Sequence, residues 1–177
     1  MYNKALTVLC MIGVVAVSAA LYAEKKFTYS VHGVVFETSL EFSQPVKAGA
    51  DAMLMVYPAK SDPGKENMGI TMVLYDRNAQ KLMGMGDTGL LNYTRTVFMG
   101  SADPGKPVER VFAGKKVRGQ ALKKKIPVPS TVEVYLITLS KGDKMGIGIS
   151  YGKNMKEETA RQVIDEIGAT LREQTGK

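Results

Sequence analysis

The sequence predicts an α+β fold, an antiparallel β-sheet layered with a long C-terminal helix, in one small domain of residues 24–177 that follows an export signal. Three observations carry this expectation. Short runs rich in β-branched and aromatic residues are separated by turn residues. Val132 to Leu139 and Met145 to Tyr151 flank a hairpin turn at Lys141-Gly142-Asp143-Lys144, and apolar residues near the C-terminus recur at helical spacing.

Taken in order, Met1 to Lys4 supply a short segment with one positive charge, and an apolar run from Ala5 to Val17 is interrupted by Thr7 and Gly13. Ser18, Ala19, Ala20 and Ala23 then provide small residues for a signal peptidase. Cleavage after Ala20 or Ala23 suits this pattern, and the charged start Glu24-Lys25-Lys26 favours Ala23. The alternative is an uncleaved anchor over residues 5–23, which approaches the ~20 apolar residues needed to span a bilayer. Cys10 does not suit a lipidated N-terminus, because Leu9 precedes it and an apolar run follows.

From Phe27 to Phe42, alternating polarity predicts two strands turning at His32-Gly33. Ala52 to Tyr57 and Ile70 to Tyr75 are continuous apolar runs that suit strands buried on both faces. Ser61-Asp62-Pro63-Gly64-Lys65 between them, and Asp103-Pro104-Gly105-Lys106 later, have turn chemistry. Asn78 to Met85 predicts a short helix. Gly84 to Gly89 predicts a mobile loop, and Tyr93 to Met99 and Val108 to Phe112 predict strands. After the basic stretch Lys115 to Ile126 comes the hairpin, then a helix capped by Asn154 with Glu157 three residues on. Its apolar stripe is Ala160, Val163, Ile164, Ile167 and Leu171. This order of elements, and above all the hairpin–helix unit from Thr131 to Arg172, resembles the PsbP-like α/β sandwich proteins over about Phe27 to Arg172. The resemblance implies a fold and a non-catalytic accessory or binding role, and carries over no functional residues.

Composition narrows the chemistry. The chain has 24 basic and 17 acidic residues; one basic residue, Lys4, lies in the leader, leaving 23 against 17 and a net charge of +6. Cys10, the sole cysteine, also leaves with the leader, so the product has no disulfide and no thiol nucleophile or ligand. Export makes nucleic acid an unsuitable partner. A partner protein, an envelope component or an anionic membrane surface fits the charge.

The motifs that resemble catalytic or nucleotide-binding templates fall short of them. Gly100 to Lys106 has the spacing of a phosphate-binding loop, but Pro107 stands where Ser or Thr must hold magnesium. Gly84-Met85-Gly86-Asp87-Thr88-Gly89 has the glycine spacing of a dinucleotide fingerprint, but the β-like residues after it do not suit the helix that fingerprint requires. Asn92-Tyr93-Thr94 is a formal glycosylation sequon. His32 is the sole histidine, so any hydrolase relay must use it. The pairs Glu157/Glu158 and Asp165/Glu166 are expected on a solvated helix face.

Met53/Met55 and Met83/Met85 place thioethers two apart, a candidate Cu(I) site against the ordinary role of methionine as core filler. No cofactor is expected. Lys115, Lys116, Arg118, Lys123, Lys124 and Lys125 form a segment without an acidic residue, the candidate contact for an anionic partner; the competing reading is an edge strand whose lysines block sheet-to-sheet aggregation. The leading expectation is thus an exported, non-catalytic binding domain, with an exported hydrolase or a copper protein as alternatives.

Overall fold

The computed structural model describes residues 25–49, 51–62, 65–100, 103, 105–124 and 129–174. The expected leader, residues 1–23, lies outside them. In chain order the elements are β1 (Phe27–Val31), β2 (Val34–Thr38), β3 (Val46–Lys47), β4 (Ala52–Tyr57), β5 (Met68–Tyr75), α1 (Arg77–Met83), α2 (Asp87–Met99), β6 (Lys106–Phe112), β7 (Lys115–Lys124), β8 (Ser130–Thr138), β9 (Lys144–Gly152), α3 (Glu157–Thr170) and β10 (Arg172–Glu173). Seven strands form an antiparallel sheet in the order β3-β4-β5-β9-β8-β7-β6, and a smaller sheet has the order β1-β2-β10.

The core lies between the large sheet and a layer made of α3 and the small sheet. Strand alternation puts Ile70 and Met72 of β5, Met145, Ile147 and Ile149 of β9, and Tyr135 and Ile137 of β8 on one face. Against them pack Ala160, Val163, Ile164 and Ile167 of α3, with Val34 and Phe36 of β2. The stripe expected from helical spacing is therefore buried as expected. Gly168 brings α3 close to the sheet margin: its carbonyl accepts from the Ala113 amide at 2.8 Å, and a Cβ there would lie 2.0 Å from the Val111 carbonyl oxygen. Thr170 and Glu166 also tie α3 to β2. Thr170 Oγ1 accepts from the Glu37 amide at 2.8 Å, and Glu166 accepts from the Ser39 amide at 2.7 Å. Glu166 is thus a structural acceptor rather than part of a solvated face.

On the opposite face of the sheet, α2 replaces the loop and strand expected over Gly84 to Met99. Its β-branched residues are absorbed by the helix itself, since Thr94 Oγ1 donates to the Leu90 carbonyl at 2.7 Å and Thr96 Oγ1 to the Asn92 carbonyl at 3.0 Å. Asp87 lies in the first turn, where negative charge is favoured, and Gly100 ends the helix at φ 60°. Tertiary packing decides the matter. Gly146 and Gly148 of β9 leave a shallow in the sheet filled by Thr94 and by the Phe98 ring, and Met99 packs on Val132 and Val134.

Other expectations need correction. Asn154 does not cap α3. It falls in the turn leaving β9, and Lys156 occupies the cap position without a side-chain bond. β4 is not buried on both faces: Met55 is its one buried residue, because only the two-residue β3 lies beyond it. The basic stretch is not the outermost strand, because β6 lies outside β7, but its Lys115 to Arg118 part is unpaired on the β8 side among the described residues.

Candidate functional site

Two depressions flank the β6–β7 wing of the large sheet. They arise from how β7 pairs. Its register with β6 runs from Lys115 to Ala121, whereas its register with β8 runs only from Gly119 to Lys124. Lys115 to Arg118 therefore keep β6 alone as a strand partner among the described residues, and β7 parts from β8 at Gly119. A Cβ at that glycine would lie 2.4 Å from the Val134 carbonyl oxygen and 2.5 Å from the Tyr135 ring, so glycine is what lets β7 cross so close to β8.

The opening between the separated strands is a notch of about 360 Å³ lined by Lys115, Lys116, Arg118, Leu136, Ser140 and Arg172, among others. Lys115 is opposite Phe112 and belongs to the α3 face, whereas Lys116 and Arg118 are opposite Val111 and Glu109 on the α2 face. Lys116 reaches Glu109 at 3.3 Å. Arg172 pairs with Glu37 at 3.1 Å, and Glu173 accepts from the Ser140 amide and hydroxyl, both at 2.6 Å. Lys115 and Arg118 enter no ion pair among the described residues.

The second depression is a cleft of about 690 Å³ between α3 and the other end of β6, β7 and β8. Glu133 forms part of its wall and is only 4% exposed. Its carboxylate accepts from the Tyr135 hydroxyl through a very short bond and from the Tyr151 hydroxyl at 3.3 Å, and Arg110 Nη2 stands 3.6 Å away. Arg110 Nε lies 3.9 Å from Asp165 and has no hydrogen-bond partner among the described residues. Burial, reinforced by the neighbouring Glu133 charge, holds the Tyr135 hydroxyl far above its ordinary range, and the same causes push Tyr151 up to about 12. Both phenols are hydrogen-bond donors at neutral pH and unsuited to act as general bases.

The six basic residues expected to act together are split. Lys115, Lys116 and Arg118 line the notch, Lys123 lines the cleft, Lys124 is opposite Ser130 in the strand register, and Lys125 lies outside the described residues. The cleft was not expected, because Glu133, Tyr135 and Tyr151 look like ordinary strand residues in the sequence. The Glu-x-Tyr alternation on one strand face was the signal available: Glu133 interrupts an otherwise apolar run.

The other motifs separate from chemistry. His32 sits in the β1–β2 turn at φ 50°, and its Nε2 is enclosed with no hydrogen-bond partner among the described residues. Met55 is fully buried in the core, while Met83 ends α1 and Met85 lies beyond it, so the second pair does not lie on an extended strand. Gly100 closes a helix and Lys106 opens a strand, the reverse of the strand–loop–helix order of a phosphate loop. A helix does begin within Gly84 to Gly89, at Asp87, against expectation, but α1 rather than a strand precedes the segment. Asn92 of the sequon lies within α2 and accepts from Gln120 at 3.4 Å.

Comparison with solved structures places this geometry in a known fold. The cyanobacterial PsbP (CyanoP) of Synechocystis sp. PCC 6803 is similar with a TM-score of 0.50 at 11% identity, covering 88% of this chain and 95% of that one. The fold is PsbP-like. A point mutant of the protein Mog1 is similar with a TM-score of 0.49 at 12% identity, covering 84% of this chain and 95% of that one. A protein of Bacteroides thetaiotaomicron VPI-5482 gives 0.45 at 11% identity over 84% of this chain; the chain spans 48% of that protein's length. No family model and no curated protein sequence matches. Among the described residues no helix is long and apolar enough to cross a membrane, and no three His, Cys, Asp or Glu side chains cluster as a metal site.

Proposed function

We propose that this protein is an exported, non-catalytic binding domain of the cell envelope that engages an acidic partner protein through the β6–β7 wing. The observation that carries the proposal is the notch. A strand held in register on one side leaves Lys115, Lys116 and Arg118 around an opening where backbone groups of β7 and β8 are not paired with each other. An extended acidic segment matches both features, since its main chain can meet the open strand edges while its carboxylates meet Lys115 and Arg118, which enter no ion pair among the described residues. In the sequence, Lys123, Lys124 and Lys125 continue the same positive charge. The leader of residues 1–23 supports delivery to the envelope.

The experiment is binding of a fluorescently labelled hexaglutamate peptide to the processed protein, followed by anisotropy at low and high salt. Wild type binds and weakens steeply as salt rises. Lys115→Gln, Lys116→Gln and Arg118→Gln together weaken binding about tenfold, equivalent to roughly 1.4 kcal/mol. Gln at Lys123, Lys124 and Lys125 has a smaller effect. Equal binding by wild type and the triple notch variant would remove the proposal, and preference for vesicles of anionic lipid over the peptide would reassign the surface to a membrane. Mass spectrometry of the protein recovered from cell fractions tests export: a soluble product starting near Glu24 supports it, and an intact Met1 in the membrane fraction contradicts a cleaved leader.

A further inference from the structure

A second site is carried by the cleft, and it rests on different observations from the notch. Each carboxylate on its wall is already engaged. Glu133 accepts from two tyrosines, Glu157 pairs with Arg161 at 2.6 Å, Glu109 pairs with Lys116, and Asp103 accepts from the Gly105 amide at 2.8 Å. The cations are not balanced in the same way. Lys106 and Lys123 line the cleft without an ion pair among the described residues, whereas Arg110 stands between Glu133 at 3.6 Å and Asp165 at 3.9 Å, its enclosed Nε making no hydrogen bond among the described residues. Lys106 and Lys123 are therefore the cleft cations available to an anionic ligand.

The floor between these cations is made of small and apolar groups. In register across the sheet, Ala121 of β7 lies between Lys106 of β6 and Glu133 of β8, and Val108 lies opposite Gly119. With so little side chain on β7, the sheet is hollowed there. The volume, about 690 Å³, is within the ~300–1,000 Å³ typical of sites that enclose small organic molecules.

We propose that this cleft binds a small organic carboxylate: its charged end near Arg110, Lys106 and Lys123, and its apolar body over Val108 and Ala121. Glu133, fixed by Tyr135 and Tyr151, orients Arg110 and selects against a second negative group deep in the cleft.

The test is a titration of the processed protein with octanoate, followed by amide NMR shifts, with octanamide as the uncharged control. Octanoate gives saturable shifts centred on residues 106–110, 121–123 and 131–133, and octanamide binds at least about tenfold more weakly. Ala121→Leu fills the cleft without removing a charge and abolishes the shifts. Lys106→Gln with Lys123→Gln changes only exposed side chains and weakens octanoate about tenfold. Absence of saturable shifts in wild type overturns the site, as does equal binding of the amide. Unchanged binding in a folded Ala121→Leu protein, or in the double lysine variant should Ala121→Leu fail to fold, does the same. Hexaglutamate binding at the notch is read separately in the Ala121→Leu protein, so failure of one site is distinguishable from failure of the other.

Discussion

The centre of the large sheet and its β6–β7 wing are built from the same kind of strand and stabilised by different physics. β5, β9 and β8 pair along most of their lengths and bury Ile70, Ile147, Ile149 and Tyr135 under α3. β7 pairs with β6 over Lys115 to Ala121 and with β8 over Gly119 to Lys124, and most of its length is given to Lys, Arg, Gly and Gln. Apolar burial of about 25 cal/mol per Å² holds the centre. The wing contributes Phe112 to that core and is otherwise held by backbone pairing and by contacts such as Gly168 against Val111, which leaves its Lys side chains outside the core. One continuous sheet thus combines an apolar centre with a polar margin.

The largest effect expected from this contrast is on stability. Ile164→Ala, at a fully buried α3 position, destabilises by about 2–5 kcal/mol in denaturant unfolding, whereas Val111→Ala on the half-exposed wing face costs within about 0.5 kcal/mol. Similar losses at both positions would break the distinction between centre and wing.

A smaller effect separates the polar network from the apolar core. The folded state raises the Tyr151 pKa from 10.0 to about 12, so its neutral form is favoured by folding. That contribution is fully present below pH 10 and is lost as pH rises through about 12, because the unfolded chain releases its proton first. Allowing for solvent screening, its size is about 2 kcal/mol. Tyr151→Phe lowers stability at neutral pH by about 1 kcal/mol through the lost bond to Glu133, and its unfolding free energy then falls less steeply above pH 10 than that of wild type. A parallel pH dependence in the two proteins would contradict this assignment. The smallest stability effect belongs to the notch variants: replacing Lys115, Lys116 and Arg118 by Gln changes unfolding by about 0.5 kcal/mol or less per site, since Lys115 and Arg118 have no ion-pair partner among the described residues.

The same contrast explains what could be read in the sequence. The stripe Ala160, Val163, Ile164, Ile167 and the Val132–Tyr151 hairpin were legible because each is a local periodicity that the core then uses directly. α2 was not, since its threonines and aromatics favour strands and only the hollow at Gly146 and Gly148 rewards a helix there. The basic residues of β7 were visible as a cluster. Their division between notch and cleft depends on where pairing with β8 stops, which no local pattern records. The cleft itself joins residues from Lys106 to Arg161 through three strands and a helix, so its charge balance emerged only from the folded register.

The most direct test of the binding wing is an amide NMR map of the processed protein titrated with hexaglutamate at low salt. Shifts concentrated on residues 115–118 and 136–140, and lost in the variant with Gln at Lys115, Lys116 and Arg118, are the predicted result. Shifts spread evenly over the basic surface, or unchanged in that variant, would contradict a specific acidic-partner site.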